Sequence, residues 1–381
     1  MSNQGENMIK KIFAATILLC ILTGCSRGRE TVEYITFGAL IPLTGEYFSE
    51  GLRALNGIQL AKKRINENGG VMGKKLDIII LNDRGCEEYI LEQYAVLMER
   101  GVTAIIGSSY SSVTMVLAEA ANRDGIPVIS PTATNFLVTY GRENVFRAIF
   151  IDEYQAMAIA HFARNTLEAE TALIMRGDTT GWGLMGDVFA EEFERLGGRV
   201  IAKENYENRP GITNILVTHM ANVPDVIFNP DAALASANLI HTAMMLGYYD
   251  TYFLGSDLWD GILSYIYEPA ARQNVYYTSP FTADDTDGMV AAFVRDFFIE
   301  FSQMPLSSSA AAHSAVFILA EAIETAGSTE WADIVSAMRS GEFDVVTGTI
   351  SFDENNNPRT NVYVIEIKEG LYLMREKIVK Y

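Results

Sequence analysis

Three stretches rich in small hydroxyl residues are the first candidates for ligand chemistry. They cover residues 42–49, 108–112 and 130–135. Hydroxyl groups and bare backbone amides hold an anionic group without a full positive charge, because charge-assisted hydrogen bonds are strong inside a closed cleft. A ligand carboxylate fits this chemistry.

Each hydroxyl-rich stretch follows a short β-branched run and precedes a helical pattern. The runs cover residues 35–41, 103–106 and 126–129. Parallel sheets bind ligands beyond the carboxyl ends of their strands, where helix N-termini favour negative groups. The sequence therefore predicts that the three loops share one edge of a sheet.

Strand and helix patterns alternate along most of the chain, which is typical of an α/β fold with parallel sheets. A second series begins after Phe146, and its strands are predicted at residues 171–175, 200–203, 225–228 and 252–254. Three helices and antiparallel strands at 346–352, 362–368 and 371–379 follow. Two doubly wound lobes account for this order. Since no low-complexity linker separates them, the lobes are expected to exchange chain segments.

Composition limits the function. The 381 residues suffice for about two domains. The net charge of -19 argues against a nucleic-acid surface, which needs clustered Lys and Arg. No apolar run beyond the N-terminus is long enough to span a bilayer.

The N-terminus indicates secretion. Lys10 and Lys11 precede an apolar stretch at 12–22, and the run LTGC at 22–25 resembles a bacterial lipobox. Residues 1–24 are then a signal peptide, Cys25 carries lipid, and residues 25–32 are a tether. Met8 is an alternative start, and an uncleaved anchor is the alternative to lipidation. Either alternative leaves the body outside the cytoplasm.

Neither cysteine pairing nor metal binding is indicated. Cys20 leaves with the signal and Cys25 is committed to lipid, so Cys86 has no partner for a disulfide. The four histidines show no ligand-like spacing. We expect no metal and no cofactor.

Several runs together resemble the type I periplasmic binding proteins, and within them the Leu/Ile/Val-binding receptors. They are GALIPLTG at 38–45, INENGG at 65–70, IPVISPTATN at 126–135, PDVIF at 224–228, AEAIETAG at 320–327 and TGTISFD at 347–353. The resemblance implies a three-strand hinge with crossings near Phe150, Ser279 and Gly348. Lobe 1 is then 33–150 plus 280–348, and lobe 2 is 151–279 plus 349–381.

The resemblance also implies an amino-acid site between the lobes. Ser111 matches the family's serine after the third strand. Ala133 and Thr134 match its Ala-Thr pair, and these three residues are expected to bind the α-carboxylate and part of the α-ammonium. Asp257 matches the acid that takes the ammonium. Trp182 matches the aromatic residue that covers the ligand.

The chain departs from the family pattern at two places. Where relatives carry aromatics after a Pro-Gly, this chain has Asp231, which is either a second acidic group in the pocket or, as capping preference favours, the cap of the next helix. Cys86 matches a cysteine that some relatives pair, but Tyr110 stands at the partner position. Tyr47, with Phe48 and Glu50, lies where relatives line the ligand side chain.

Each site residue also has a structural interpretation. Ser111, Ser112 and Asp257 are plausible helix caps, Thr134 a turn residue, and Trp182 ordinary packing. Their joint placement after successive strands favours binding.

The resemblance implies a substrate-binding protein of an ABC importer. It would act as a monomer, capture an amino acid or similar small carboxylate, and deliver it to a membrane permease. A ligand-binding sensor without transport is the alternative. An enzyme is disfavoured, since there is no Gly-x-Ser-x-Gly elbow and no P-loop, and the histidines lie in helical stretches.

Overall fold

The computed structural model describes residues 33–177 and 183–378. The predicted signal peptide, Cys25 and Trp182 lie outside the described residues. The fold is α/β, as the sequence predicts. In the first lobe the parallel strands are arranged in the order β2-β1-β3-β4-β5. Their bounds are Tyr34–Ile41 (β1), Lys75–Asn82 (β2), Ala104–Gly107 (β3), Val128–Ser130 (β4) and Val145–Arg147 (β5).

Six helices of the described residues belong to this lobe, and the last of them precedes the final segment of the lobe. They are Phe48–Glu67 (α1), Glu87–Glu99 (α2), Ser111–Asp124 (α3), and, later in the chain, Gly288–Phe301 (α8), Ser307–Ala326 (α9) and Trp331–Ser340 (α10). The α1 and α9 backbones pack closely at Gly57, where a Cβ atom would lie 2.1 Å from the carbonyl oxygen of Ser309. The first turn of α9 therefore packs against the middle of α1.

The second lobe contains a seven-stranded mixed sheet, ordered β15-β14-β10-β9-β8-β6-β7. Its five parallel strands are Thr171–Gly177 (β6), Arg199–Tyr206 (β7), Val226–Phe228 (β8), Tyr252–Gly255 (β9) and Val275–Ser279 (β10). Two antiparallel strands complete it, Val362–Lys368 (β14) and Leu371–Ile378 (β15). Strand β10, which the sequence patterns do not predict, lies between the parallel and antiparallel parts.

Four helices cover the second sheet: Asp152–Asn165 (α4), Gly183–Arg195 (α5), Arg209–His219 (α6) and Ala233–Met245 (α7). Among the described residues of this lobe, the largest fully buried side chain is Trp259, which packs against Gly255 at the end of β9. Because Gly255 leaves room for the indole ring, the turn after β9 is held tightly against the core. That turn carries Asp257.

A small antiparallel sheet changes the expected boundary of the first lobe. Its strands are Glu342–Val345 (β11), Gly348–Phe352 (β12) and Pro358–Arg359 (β13). Ile350 and Phe352 lie in the same hydrophobic core as β1. The chain therefore leaves the first lobe after Thr360 and not near Gly348, because the apolar face of β12 is buried against the first lobe. The two earlier crossings adjoin α4 and β10.

Within the described parts of the chain, no helix combines the length and apolar character needed to span a membrane. Among the same residues, no His, Cys, Asp and Glu side chains cluster in a way that would hold a metal ion.

Candidate functional site

Hydrogen bonds join two of the hydroxyl-rich loops at the carboxyl edge of the first sheet. The amide of Asn135 donates to Oγ of Ser111 at 3.2 Å. Thr132 Oγ1 donates to the carbonyl oxygen of Ser109 at 2.9 Å, and Ser130 Oγ donates to that of Ser108 at 2.7 Å. The loops after β3 and β4 therefore form one polar surface, as their positions after neighbouring strands predict.

Arg147 supports the loop that follows β4. Its guanidinium is fully buried and donates to the carbonyl oxygens of Ala133 and Asn135, both at 2.8 Å, and to Oγ1 of Thr139 at 3.1 Å. Burial lowers the pKa of Arg147 to about 10, and nearby Asp152 opposes this shift. Arg147 thus fixes the backbone on both sides of Thr134.

Ser111 and Ala133 differ in the polar groups that they offer to a ligand. Ser111 is the first residue of α3, and Tyr110, not a serine, occupies the N-cap. The first amides of α3 have no intrahelical acceptor, so they suit a carboxylate. Ala133 donates its amide to Ser130 Oγ and accepts from Arg147 at its carbonyl, and its methyl group is buried. Ligand binding by Ala133 stays a prediction, whereas its hydrogen bonds within the loop are present in the structure.

Thr134 and Asp257 belong to one chain of contacts between the lobes. The amide of Asp152 donates to the carbonyl oxygen of Thr134 at 3.2 Å, and the nearby Thr134 hydroxyl lowers the pKa of the Asp152 carboxyl against the effect of burial. Gln155 Nε2 then donates to Oδ1 of Asp152 at 3.1 Å and to Oδ1 of Asp257 at 2.7 Å. Two residues that are 123 positions apart in the sequence thereby share one network.

Both carboxyl groups of this network have raised pKa values. Burial raises the pKa of Asp257 to about 7, nearby Asp152 adds to the rise, and the hydrogen bond from Gln155 opposes it. Burial likewise raises the pKa of Asp152 to about 6, against the hydrogen bond from Thr134. Two neighbouring acids with little solvent are stabilised by a cation, because an opposite charge favours their ionised forms.

A second polar region lies at the N-termini of α1 and α9. Asp260 of the second lobe accepts from the amide and hydroxyl of Ser307 at 2.8 and 2.6 Å. In the first turn of α1, Glu50 pairs with Arg53 at 2.5 Å. Burial raises the pKa of Glu50, while Arg53 opposes the shift. The Asp260–Ser307 contact joins the two lobes directly.

Tyr47 lies beside this region. Its ring packs on that of Tyr110 with 3.7 Å between the centroids. Burial raises the pKa of Tyr110, and the charge of Glu50 contributes to the rise. Tyr47, Tyr110 and Glu50 therefore form a wall of mixed aromatic and acidic character next to Ser111.

Asp231 does not cap a helix, so the favoured interpretation of this residue was wrong. The N-cap of α7 is Ala232, without a side-chain cap. Asp231 is 3% exposed, and its Oδ2 accepts from the amide of Gly177 at 2.6 Å, from the Tyr206 hydroxyl and from Asn229 Nδ2. Its carboxylate instead ties together the carboxyl ends of β6, β7 and β8.

Sequence reasoning missed three residues that organise the site: Asp152, Gln155 and Arg147. Asp152 and Glu153 form an acidic first turn in α4, which is a signal for a helix start and not for a binding site. A lone glutamine and a lone arginine carry no spacing pattern. Trp182, which was expected to cover the ligand, is outside the described residues.

A family model described as "Periplasmic binding protein" matches residues 34–371. A Leu/Ile/Val-binding protein homolog 1 of Brucella suis is 27% identical over 368 residues, covering 94% of this chain and 96% of the relative. A leucine-, isoleucine-, valine-, threonine-, and alanine-binding protein of Pseudomonas aeruginosa is 25% identical, covering 93% and 94%.

Two solved structures of binding proteins are similar to this chain over about nine-tenths of its length. A leucine-binding protein of Thermotoga maritima has a TM-score of 0.80 at 26% identity, covering 91% of this chain and 99% of that one. An ABC transporter substrate-binding protein of Desulfitobacterium hafniense, in complex with Leu, has a TM-score of 0.79 at 25% identity, covering 90% and 100%.

Two α/β lobes joined at a hinge, with polar loops facing each other, define a solute-binding protein and not an enzyme. The chain belongs to the periplasmic binding protein family, as a type I solute-binding protein of the Leu/Ile/Val-binding group. Family membership implies an extracytoplasmic location.

Proposed function

We propose that this chain is the lipid-anchored substrate-binding subunit of an ABC importer, and that it captures an α-amino acid between its lobes for delivery to a permease. The observation that supports the ligand class most is the Thr134–Asp152–Gln155–Asp257 network. It places an acid of raised pKa against the hydroxyl-rich loops of the other lobe. An α-amino acid carries both matching charges.

The two ends of the ligand have distinct partners. The α-carboxylate lies at the first amides of α3 with the hydroxyls of Ser111 and Thr134, where the helix dipole favours an anion. The α-ammonium lies at Asp257. The side chain points toward Tyr47 and Glu50. Closure of the lobes around these groups produces the form that a permease recognises.

Matched ligands test this proposal in a thermal-shift assay of residues 26–381. L-leucine is compared with 4-methylpentanoate, which lacks the amine, and with 3-methylbutylamine, which lacks the carboxylate, alongside the other common L-amino acids. We expect one or more amino acids to raise the melting temperature, since ligand binding to the native state stabilises it by mass action. Stabilisation by a des-amino acid equal to that by its amino acid would overturn the ammonium role of Asp257.

Lipid attachment has its own test at Cys25. Replacing Cys25 with serine should abolish incorporation of radiolabelled palmitate and release the body into the soluble fraction, because serine cannot form the thioether that anchors the protein. Cys86→Ser is the matched control and should leave labelling unchanged. Continued labelling of the Cys25→Ser protein would show that the anchor is elsewhere or that the LTGC run is not a lipobox.

A further inference from the structure

Gln155 is a buried side chain at the hinge that no ligand role yet accounts for. It lies one turn into α4, immediately after the chain enters the second lobe, and is 1% exposed. Thr278, its neighbour on β10, immediately precedes Ser279, where the chain returns to the first lobe. Gln155 therefore lies between two of the segments that connect the lobes.

Every hydrogen-bonding position of the Gln155 amide is used. Nε2 donates to Asp257 Oδ1 at 2.7 Å and to Asp152 Oδ1 at 3.1 Å. Oε1 accepts from the backbone amide of Asp257 at 3.0 Å and from Oγ1 of Thr278 at 2.7 Å. A primary amide has two donor hydrogens and two acceptor lone pairs, so it is fully satisfied.

The same contacts fix the orientation of the amide. If its oxygen and nitrogen were exchanged, the oxygen would face two carboxylate oxygens and the nitrogen would face a backbone N–H donor. Both changes would leave buried polar groups without complementary partners, which is unfavourable. The Gln155 amide thus has one arrangement.

Gln155 holds Asp257 at two points, its backbone amide and one carboxylate oxygen. A residue gripped at both points has little freedom about the bond between Cα and Cβ. With Oδ1 engaged by Gln155, Oδ2 is the oxygen that remains for a ligand ammonium. The packing of Trp259 fixes the short 3-10 helix Asp257–Trp259, and Gln155 of α4 fixes the carboxylate of Asp257 within that turn.

We propose that Gln155 is the positioning residue of the ammonium subsite, holding Asp257 in register with Asp152 and Thr134 and linking it to both adjoining hinge segments. The proposal rests on the proposed function, in which Asp257 receives the ammonium. Gln155 itself does not contact the ligand. It acts by keeping the acid ionisable and correctly aimed when the lobes close.

The charges around Asp257 make this role measurable. Asp152 and Asp260 face it and raise its pKa, and Glu153 and Arg147 act on Asp152 with opposite signs. Against these acids, the hydrogen bond from Gln155 favours the ionised form of Asp257. Loss of the donor should therefore shift the titration of Asp257 upward, which a purely structural role in packing would not do.

The test compares Gln155→Leu with Thr278→Val. Leucine removes all four hydrogen bonds, whereas valine at 278 removes one bond to the same amide without touching Asp257. Each protein is labelled with ¹³C at the aspartate carboxyl, and the Asp257 signal is assigned by its loss in Asp257→Asn. We expect the titration midpoint of ligand-free Gln155→Leu to rise by about one pH unit, and that of Thr278→Val to move much less.

Binding gives a second readout. At pH 7 the Kd for L-leucine, or for the amino acid identified in the thermal-shift panel, should rise about tenfold in Gln155→Leu and less than about twofold in Thr278→Val. If Gln155→Leu does not fold, Gln155→Met is used. Methionine keeps the length of the side chain, loses both donors and adds no charge, so it should shift the Asp257 midpoint in the same direction.

The two proposals fail in different ways. An unmoved Asp257 midpoint in folded Gln155 variants overturns the positioning role, whatever the protein binds. If no amino acid stabilises the wild-type protein while the midpoint still shifts, the positioning of Asp257 by Gln155 stands and the proposed ligand class falls.

Discussion

Asp257→Asn should weaken amino-acid binding by about 30-fold or more, because removing one member of a desolvated charge pair costs roughly 2–5 kcal/mol. Asparagine keeps the size of aspartate and still offers Oδ1 to Gln155 Nε2, so the substitution removes charge and little else. Isothermal titration of wild-type and variant proteins at pH 8 measures the difference. Asp250→Asn, an exposed position in the same lobe, is the control for simple loss of charge.

The same substitution should flatten the pH dependence of binding. Since the pKa of Asp257 in the ligand-free protein is about 7, an ammonium must displace a proton below that pH. Wild-type affinity should therefore fall by up to about tenfold per pH unit as the pH drops below 7. Binding by Asp257→Asn should be weak but independent of this group. If the wild-type affinity did not change between pH 8 and pH 5, the assignment of Asp257 as the ammonium partner would be contradicted.

We do not expect unfolding of the protein to cause the weaker binding of Asp257→Asn. The folded-state pKa of Asp257 lies above its unfolded value of about 3.9, so the carboxyl contributes stability at low pH that is lost as pH rises toward 7. Asparagine has no charge to desolvate. The ligand-free variant should therefore be at least as stable as the wild type at pH 8, which a melting curve checks.

Arg147→Met should lower the free energy of unfolding by about 3 kcal/mol, because two buried acceptors and one partly buried acceptor lose a fixed donor. Methionine fills part of the volume but donates no hydrogen bond. Ligand affinity should fall as well, since the freed carbonyls flank Thr134. Chemical denaturation of the ligand-free protein gives the stability change, and titration of the bound amino acid gives the affinity change.

Two companion variants make the Arg147 result specific. Arg147→Lys keeps the charge but not the fork that reaches Ala133 and Asn135 together, so it should recover only part of the stability. Arg123→Met removes an exposed arginine whose nearest acid is 3.9 Å away, and surface pairs of this kind contribute little. A stability loss in Arg147→Met no larger than that in Arg123→Met would show that the loop does not depend on Arg147.

The position of the polar loops at one edge of the first sheet could be predicted because it depends on local patterns. Short β-branched runs that end in serine, threonine and proline predict strands with polar loops at one edge, and β3 and β4 end in this way. The same reasoning failed at Asp231. Its position before a helix predicts a cap, but its side chain faces Gly177, Asn229 and Tyr206 at the carboxyl ends of three neighbouring strands.

The structure differs from the predicted end of the first lobe, near Gly348, for a related reason. The pattern at residues 346–352 predicts a strand, and β12 lies within it, but the pattern does not say which lobe buries its apolar face. Ile350 and Phe352 join the first core. Asn356, fully buried, donates to carbonyl oxygens on both sides of Asn144, and so holds the same segment against the start of β5.

The sequence by itself determined the α/β class, the two series of strands and the polar loops at the strand ends, because each depends on residue types at short spacing. Only the tertiary structure decided that Gln155 aligns Asp257, that Arg147 supports Thr134 and that Asp260 reaches Ser307. These partners lie 102, about a dozen and 47 positions apart. A single polar residue carries no periodic signal, and its partner is chosen by how strands and helices pack.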